Sequence, residues 1–134
     1  MLLTRASEYA LLSLIVLARN EAPVDVDTLS KELDISKSFL AKILQSLAKA
    51  DIIKSFKGAH GGFAMNAESM NSSLLHILSA VEAKTPSVFD CSNNKEDCPS
   101  NQASSCSLWP ILNRLQGKID TFLDSLTLAD IIKE

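Results

Sequence analysis

Three cysteines lie close together in the segment CSNNKEDCPSNQASSC, which runs from Cys91 through Cys98 to Cys106. Six residues separate the first pair and seven separate the second. Thiolates are soft ligands that suit iron–sulfur clusters, zinc or copper, and a small cluster usually takes four ligands, so a fourth would come from elsewhere. Two other interpretations stay open: a flexible loop with incidental thiols, or a redox switch in which two cysteines pair on oxidation.

A basic stretch is the second candidate for chemistry. Between Ser36 and Gly62 the chain has five lysines and one acid, Asp51, a balance of +4, although the whole protein carries a net charge of −3. Positive charge concentrated on one part of an acidic chain is typical of a phosphate-binding face. The alternative is a solvated lysine face on an ordinary helix, and the order of the surrounding elements favours DNA over it.

The elements around this stretch follow one another as helix, turn, helix and hairpin. The sequence predicts a short helix over Val26–Leu33, a tight turn at Asp34-Ile35 and a longer helix from about Ser36 to Ala50. Two short strands follow, Ile52–Phe56 and Phe63–Met65, joined by the glycine-rich KGAHGG. A helix-turn-helix followed by a β-hairpin wing places one helix in a DNA major groove and a loop beside it.

The longer helix has two faces. Its apolar stripe repeats at 3.6 residues and consists of Phe39, Leu40, Ile43, Leu44 and Leu47. Serines and lysines near its start can reach base edges and phosphates, and charged wing residues can reach phosphates or the minor groove. The predicted DNA-binding residues are Ser36, Lys37, Ser38, Phe39 and Lys42 on the helix, with Lys57 and His60 on the wing. For His60 the plain alternative is an exposed loop histidine.

The first helix is predicted over Arg5–Asn20, with Thr4 as its N-cap. Its segment Tyr9–Ala18 is almost entirely apolar and superficially resembles the core of a signal peptide. Glu8 precedes that segment and a polar sequence follows it, and ten residues cannot span a bilayer, so a buried helix is the better interpretation. We therefore expect a cytoplasmic protein without membrane contact, whose thiols stay reduced.

The C-terminal part is predicted to carry the cysteine loop and two further long helical segments. After a linker over Asn66–Asn71, a helix runs over Leu74–Glu82; the loop occupies Thr85–Ser107; and Ser107 caps a helix that ends near Ser125. This last helix has an apolar stripe near heptad spacing, which suits a two-fold dimer seam: Leu108, Ile111, Leu112, Leu115, Ile119, Phe122, Leu123 and Leu126.

The predicted fold class is therefore mainly α, a winged helix-turn-helix with a two-stranded wing and a long C-terminal dimerisation helix. Residues 1–66 would form the DNA-binding region, and residues 67–134 the cysteine loop and dimerisation helices, within one integrated domain. Thr127 is expected to cap a final short helix.

Several motifs together resemble the IscR/NsrR family of bacterial transcription regulators: the opening LTRASEYAL, the turn and helix DISKSFLAKIL, the wing KGAHGG, the three-cysteine loop and the closing TLADI. The resemblance covers essentially the whole chain, in order. It implies a homodimer that binds a two-fold symmetric operator on double-stranded DNA. It also implies an iron–sulfur cluster, [2Fe–2S] or [4Fe–4S], on Cys91, Cys98 and Cys106, whose loss, oxidation or nitrosylation alters DNA binding.

The fourth ligand differs between branches of that family. In the branch that senses iron–sulfur status it is a histidine, and Trp109 stands at that position here and cannot serve. In the nitric-oxide-sensing branch it is a carboxylate from the partner subunit, which would be Glu8. The alternative role of Glu8 is to interact favourably with the dipole of the first helix. The cysteine spacings are also wider than is common in the family, and Lys57 replaces its usual wing arginine.

The predicted function is that of a dimeric transcription regulator, a repressor in the leading version, sensing nitric oxide, redox or iron–sulfur status through its cluster. The alternative is a regulator of the same fold in which the cysteines bind zinc or act as a cluster-free thiol switch. An enzyme is not predicted, since the sequence has no phosphate-cradling glycine loop, no nucleophile elbow and no paired carboxylates in a recognisable setting.

Overall fold

The computed structural model of the protein describes residues 3–100 and 102–133, which form a mainly helical fold with one small sheet. The α-helices are α1 (Arg5–Arg19), α2 (Val26–Leu33), α3 (Lys37–Lys49), α4 (Leu74–Glu82), α5 (Trp109–Ser125) and α6 (Leu128–Lys133). The antiparallel strands are β1 (Ile53–Phe56) and β2 (Gly62–Met65). The predicted fold class, a mainly α winged helix-turn-helix with a two-stranded wing, is confirmed.

Four of the predicted helix starts have the predicted caps. The side-chain oxygens of Thr4, Asp25, Ser36 and Thr127 each accept a hydrogen bond from the backbone N–H three residues ahead, at 3.2, 2.7, 3.2 and 3.3 Å. Such bonds satisfy donors that the first turn of a helix leaves without a partner. At the end of α2, Asp34 takes a left-handed conformation with φ 55°, which reverses the chain tightly into α3.

The wing is joined to the segment that leads into α2. β1 and β2 pair from Ile53 opposite Met65 to Phe56 opposite Gly62. On the other edge of β2, the Val24 N–H donates to the Phe63 carbonyl at 2.9 Å, and the Phe63 N–H donates to the Val24 carbonyl at 2.8 Å. Because both bonds are between backbone groups, the hairpin keeps a defined orientation relative to the helix-turn-helix.

One main core connects the N-terminal helices with the C-terminal part. The fully buried aliphatic side chains at its centre come from α1, α2, α3, α4 and α6, and they include Leu14, Leu29, Leu40, Leu44, Leu47, Ile77 and Leu128. Along α3, the buried residues Leu40, Leu44 and Leu47 recur with the 3.6-residue period of the predicted apolar stripe. A smaller cluster forms where Leu123 of α5 packs against Leu74 and Leu78 of α4.

The part of the chain after β2 differs from the prediction in two details, the start of α5 and the linker before α4. α5 begins at Trp109, and its N-cap is Leu108, which makes no side-chain cap, so the predicted cap at Ser107 is wrong. The physical reason is that the Leu108 carbonyl already accepts bonds from the N–H groups three and four residues ahead, both at 3.1 Å. The predicted linker after β2 contains a 3₁₀ turn over Ala67–Asn71.

Further 3₁₀ turns within the cysteine loop cover Lys95–Asp97 and Ala103–Ser105. The other described residues of that loop are irregular, as its lack of helical period predicted. Within the described part of the chain, no helix has both the length and the apolar character that crossing a membrane requires.

Candidate nucleic-acid interface and cysteine loop

The predicted DNA-binding helix, α3, presents its polar face to solvent. Its inner face is buried, while Lys37, Ser38, Lys42, Gln45 and Lys49 are exposed on the other side. Ala41 lies among them, partly exposed, and its small side chain allows close approach by another surface. A helix with cations and hydroxyls on its only open face is suited to phosphates and base edges.

The start of α3 adds a favourable backbone environment for an anion. Ser36 caps it, and the helix dipole places partial positive charge at this end. Lys37 lies nearby, with its Nζ 3.9 Å from an Asp27 carboxylate oxygen, and both side chains are more than half exposed. Because such an exposed ion pair is weak, Lys37 is available to a stronger anion such as a DNA phosphate.

Phe39 was predicted both in the apolar stripe and among the DNA-binding residues. In the structure it lies at the border between the buried and the exposed face of α3. It is 38 % exposed. Its ring packs edge-to-face on Tyr9 of α1, with ring centroids 5.8 Å apart and an interplanar angle of 83°. Phe39 therefore connects the polar face of α3 to the first helix, a contact that periodicity alone did not predict.

The wing residues Lys57 and His60 are exposed at the tip of the β-hairpin. The tip turns at Gly58, which has φ 101°, and the Gly61 N–H closes it by donating to the Gly58 carbonyl at 3.0 Å. A cation on a short, backbone-closed tip is suited to a phosphate or a narrow groove.

The cysteine loop places its thiols at partly and fully accessible positions. Cys91 and Cys98 are partly buried and Cys106 is exposed. The Cys98 sulfur lies 3.5 Å from the Ser100 hydroxyl oxygen. Among the residues that the structure describes, no group of three or more His, Cys, Asp or Glu side chains is gathered to hold a metal ion. As a donor set, three thiols are of the type that binds a soft metal or an iron–sulfur cluster.

Glu8, the predicted fourth ligand from the partner subunit, is exposed on α1. Its carboxylate lies 3.9 Å from the Arg5 guanidinium, and its side chain is 56 % exposed. It stands beside an apolar groove of about 310 Å³, which is lined by Leu3, Leu11, Leu12, Ile15 and Ile131. A carboxylate at the rim of an open apolar groove is accessible to a second protein chain.

Trp109 has a role different from ligation. It stands at the position where one branch of the IscR/NsrR family has a histidine ligand. Its indole Nε1–H donates to the Cys91 carbonyl at 2.8 Å. The Lys95 ammonium lies 4.8 Å from the centroid of its ring, a cation–π contact. Sequence reasoning recognised that tryptophan cannot be a ligand, but it missed that this side chain fixes the loop.

Two further α5 side chains bind the loop and were also missed. The Asn113 Nδ2 donates to the Ser92 carbonyl at 2.9 Å. Gln116, only 2 % exposed, donates to the Pro86 carbonyl at 2.9 Å and accepts from the Val88 N–H at 2.8 Å. The signal in the sequence was that Trp109, Asn113 and Gln116 recur at spacings of four and three residues along α5. The carbonyl groups that they bind could not be predicted from this spacing.

A polar contact between α1 and α4 was missed as well. The Glu82 carboxylate accepts hydrogen bonds from the hydroxyls of Thr4 and Ser7, the latter at 2.8 Å. Ser7 is completely buried, so this acceptor satisfies a hydroxyl that water cannot reach. The contact connects the start of α1 with the end of α4, immediately before the cysteine loop.

The predicted dimer stripe of α5 divides into a buried and an open part. Leu112 and Leu123 are buried in the protein. Four others are exposed by between 42 and 62 %: Leu108, Ile111, Leu115 and Phe122. Large apolar side chains exposed in one row along a helix commonly mark a surface that another chain covers.

Comparison with known proteins gives a family match over nearly the whole chain. Residues 3–134 match Rrf2, described as "Iron-dependent Transcriptional regulator". One relative is the HTH-type transcriptional regulator IscR of Vibrio atlanticus (strain LGP32), 26 % identical over 136 aligned positions that cover 100 % of this chain and 76 % of the relative.

Solved structures support the same architecture. The CymR (YrzC) global cysteine regulator of B. subtilis superposes with a TM-score of 0.70 at 23 % identity, covering 98 % of this chain and 95 % of that one. The structure of T. potens IscR superposes with a TM-score of 0.72 at 22 % identity, with 98 % and 85 % covered. At these identities, the two similarities establish a shared fold.

Proposed function

The chain belongs to the Rrf2 family of transcriptional regulators, and we propose that it binds a two-fold symmetric DNA site as a homodimer and senses its signal through the cysteine loop. Membership confirms the resemblance to IscR-type regulators and the prediction of a regulator instead of an enzyme. The observation that carries the DNA-binding part is the open polar face of α3, where Lys37, Ser38 and Lys42 are exposed above a fully buried inner face.

In the proposed complex, α3 enters the major groove with its N-terminal end foremost. Ser36 and Ser38 donate to base edges or phosphates, and Lys37 and Lys42 neutralise phosphates on either side. The wing lies beside the helix, where Lys57 and His60 contact the neighbouring backbone or minor groove. A regulator of this kind acts on chromosomal DNA, and we place it in the bacterial cytoplasm.

The test is the replacement of Lys42 by alanine, with Lys84→Ala as the matched control, since Lys84 is exposed and lies outside α3, the wing and α5. Removal of one cation from a DNA phosphate should reduce the slope of log affinity against log salt by roughly 0.9. We expect Lys42→Ala to weaken binding at physiological salt and to reduce the slope by that amount, while Lys84→Ala changes neither. Equal affinity and slope for both variants would rule out α3 as the DNA-binding helix.

The homodimer is supported by the open apolar row on α5. Its members Leu108, Ile111, Leu115 and Phe122 recur at helical spacing on one side, as a self-complementary two-fold contact requires. Sedimentation equilibrium should give twice the chain mass for the wild-type protein. Phe122→Asp should shift the population towards monomer because it places a charge in the seam, and a wild-type protein that stays monomeric at micromolar concentration would contradict the proposal.

The sensing group that we propose is an iron–sulfur cluster held by Cys91, Cys98 and Cys106, with Glu8 of the partner subunit as the fourth donor. The support is the donor set, three thiols in one loop, together with the description of the family as iron-dependent. The chemistry that such a group supplies when bound is sensitivity to oxidants, to nitric oxide and to iron supply. The chain itself supplies the thiolates and the carboxylate, and it partly buries the thiols of Cys91 and Cys98.

Control of DNA binding requires that the loop state and the arrangement of the two α3 helices are coupled. A group bound at the loop changes DNA affinity only if it binds one arrangement of the two chains more tightly than another. The loop is attached to α5, and α5 carries the proposed dimer seam. A change at the thiols can therefore alter the relative arrangement of the two helix-turn-helix regions in the dimer. We propose that this coupling serves repression.

An anaerobic visible absorption spectrum tests the sensing group. Thiolate-to-iron charge-transfer bands in the wild-type protein that disappear in Cys98→Ser would support it. Glu8→Ala should then alter the bands while leaving the apoprotein folded. A colourless protein purified without oxygen, after iron and sulfide supplementation, would refute the cluster.

A second candidate, a cluster-free or zinc-binding thiol switch, is favoured by one observation. Cys106 is exposed and the other two thiols are only partly buried, so a dissolved oxidant or a zinc ion can reach the loop from solvent. Elemental analysis and mass spectrometry distinguish the two forms of this candidate. Zinc at one equivalent per chain supports a zinc site, and a loss of about two mass units on mild oxidation supports a disulfide switch.

A further inference from the structure

A row of hydrogen-bonding side chains on α5 holds the first part of the cysteine loop. Trp109, Asn113 and Gln116 donate to backbone carbonyls of Cys91, Ser92 and Pro86 at 2.8, 2.9 and 2.9 Å. Gln116 also accepts from the Val88 N–H at 2.8 Å, so residues 86–92 are bound at both ends and in the middle. We call Trp109, Asn113 and Gln116 the α5 ladder.

The ladder occupies one side of α5, and the open apolar row occupies another. With about 100° per residue in an α-helix, the ladder residues fall within an arc of about 60°, and the apolar row is centred about 140° away. The helix can therefore hold its own loop on one side and a second chain on the other at the same time. Gln116 is the most constrained member because it is almost completely buried, its amide nitrogen donates to Pro86 and Asp120, and its amide oxygen accepts from Val88.

Inside the loop, a local bond continues the row. The Ser92 hydroxyl accepts a hydrogen bond from the Phe89 N–H at 2.8 Å, and Ser92 is completely buried. The segment around Cys91 is thus closed on itself as well as attached to α5. Gln116 and Ser92 are the buried members of this row, and bonds to buried polar groups specify one arrangement of the backbone, since breaking one leaves a group without a partner.

We infer that Trp109, Asn113 and Gln116 are positioning residues for Cys91, which they attach to α5 so that the two move as one unit. The inference rests on the proposed sensing role of the cysteine loop, and it assigns Trp109 a function at the place where a family branch has a ligand. A change in the ligation or oxidation of Cys91 then acts directly on α5, whose other side carries the apolar row.

The test measures the reactivity of individual thiols in the metal-free, reduced protein. Cys91 and Cys106 are alkylated with iodoacetamide in the same sample, and the rate at each is followed by peptide mass spectrometry. Trp109→Phe keeps an aromatic side chain, although a smaller one, and removes the N–H donor. We expect it to raise the ratio of the Cys91 rate to the Cys106 rate by roughly three- to tenfold, the effect of losing one net hydrogen bond.

Gln116→Met provides a second, independent arm, with Arg114→Gln on the exposed side of α5 as control. Methionine fills a similar volume but cannot accept from the Val88 N–H, so hydrogen exchange at that amide should become about tenfold faster. Arg114→Gln should change neither this exchange rate nor the thiol ratio. If Gln116→Met does not fold, Trp109→Phe still decides the question.

Two outcomes would overturn the inference: a Cys91 to Cys106 ratio unchanged in Trp109→Phe, or an equal acceleration at both thiols, which indicates general loosening. Both measurements are made without DNA and without a bound metal, so their result is independent of the proposed function. A raised ratio in a protein that binds no operator would retain the positioning role and refute the regulator. An unchanged ratio of the Cys91 rate to the Cys106 rate, in a protein that still responds to its signal, would refute the positioning role and retain the regulator.

Discussion

Replacement of Gly62, the first residue of β2, should strongly lower the stability of the protein, because both the backbone conformation and the surroundings of this residue exclude a side chain. Its φ is +143°, a region that residues with a Cβ rarely adopt. A Cβ added there would lie 2.5 Å from the carbonyl carbon and oxygen of Val24 and 2.8 Å from the Asp25 nitrogen. These are backbone atoms, so no side-chain rotation can relieve the clash, and Gly62→Ala must separate β2 from the segment before α2.

The size of the effect follows from the strain and the broken bonds. Backbone strain at such a φ costs about 1–3 kcal/mol. Separation of the segments also breaks the two hydrogen bonds between Val24 and Phe63, at about 1 kcal/mol each. The free energy of unfolding should therefore fall by about 3–5 kcal/mol. For a chain of this size, about 3–5 °C per kcal/mol translates this into a decrease in Tm of about 10–20 °C.

Two other glycines provide matched controls. Gly58 has φ +101°, but a Cβ there meets nothing within 4 Å, so Gly58→Ala adds strain alone, at about 1–2 kcal/mol. Gly117 lies in the middle of α5, where a Cβ also meets open space. Gly117→Ala should therefore stabilise the protein by about 0.5–1 kcal/mol through helix propensity.

The assay is thermal and urea unfolding of all three variants at one fixed protein concentration, since the proposed dimerisation would make Tm concentration-dependent. The expected order of stability is Gly117→Ala above wild type, then Gly58→Ala, then Gly62→Ala. A Gly62→Ala variant as stable as Gly58→Ala would show that the close approach to Val24 is not maintained in solution. The reasoning about the orientation of the wing would then be wrong.

Three other substitutions test separate contacts. Ala83 closes α4 in a left-handed conformation with φ 58°, so Ala83→Gly should raise the free energy of unfolding by about 1 kcal/mol in a urea titration. Glu82→Leu removes the acceptor of the buried Ser7 hydroxyl and should lower that free energy by about 1–3 kcal/mol, whereas no change would mean that another acceptor replaces it. The pKa of Asp25 is lowered, chiefly by the bond from the Thr28 backbone N–H, so the stability that its ionised form contributes is present above its ordinary pKa and is lost as pH falls through the lowered value. The difference in Tm between wild type and Asp25→Ala should accordingly be largest near pH 6 and should shrink on acidification towards pH 2; a constant difference would contradict this account.

Local elements were predictable because their causes lie within a few residues of each other. The bounds of α2 and α4 agree with the prediction, and the caps at Thr4, Asp25 and Ser36 depend on an oxygen three residues before the donor. The cap at Ser107 failed for the same kind of local reason, since serine is a favourable N-cap but the Leu108 carbonyl begins the first turn. Propensity indicates where a helix can start, and the backbone selects among neighbouring positions.

The contacts that organise the cysteine loop were not predictable in this way. Trp109 and Cys91 are 18 residues apart, Gln116 and Pro86 are 30 apart, and Glu82 and Ser7 are 75 apart. A polar side chain in a sequence shows that it needs a partner, and only the packed backbone decides which carbonyl or hydroxyl is within reach.

By itself, then, the sequence determined the order of the helices, the wing, the exposed lysines of α3 and the presence of three thiols in one loop. These features follow from short-range periodicity, capping and residue chemistry. The tertiary structure decided that the wing is fixed through Val24, that Phe39 packs on Tyr9, and that Trp109 holds the loop backbone at Cys91. Such contacts join distant parts of the chain, and they become determined only when the elements pack around a common core.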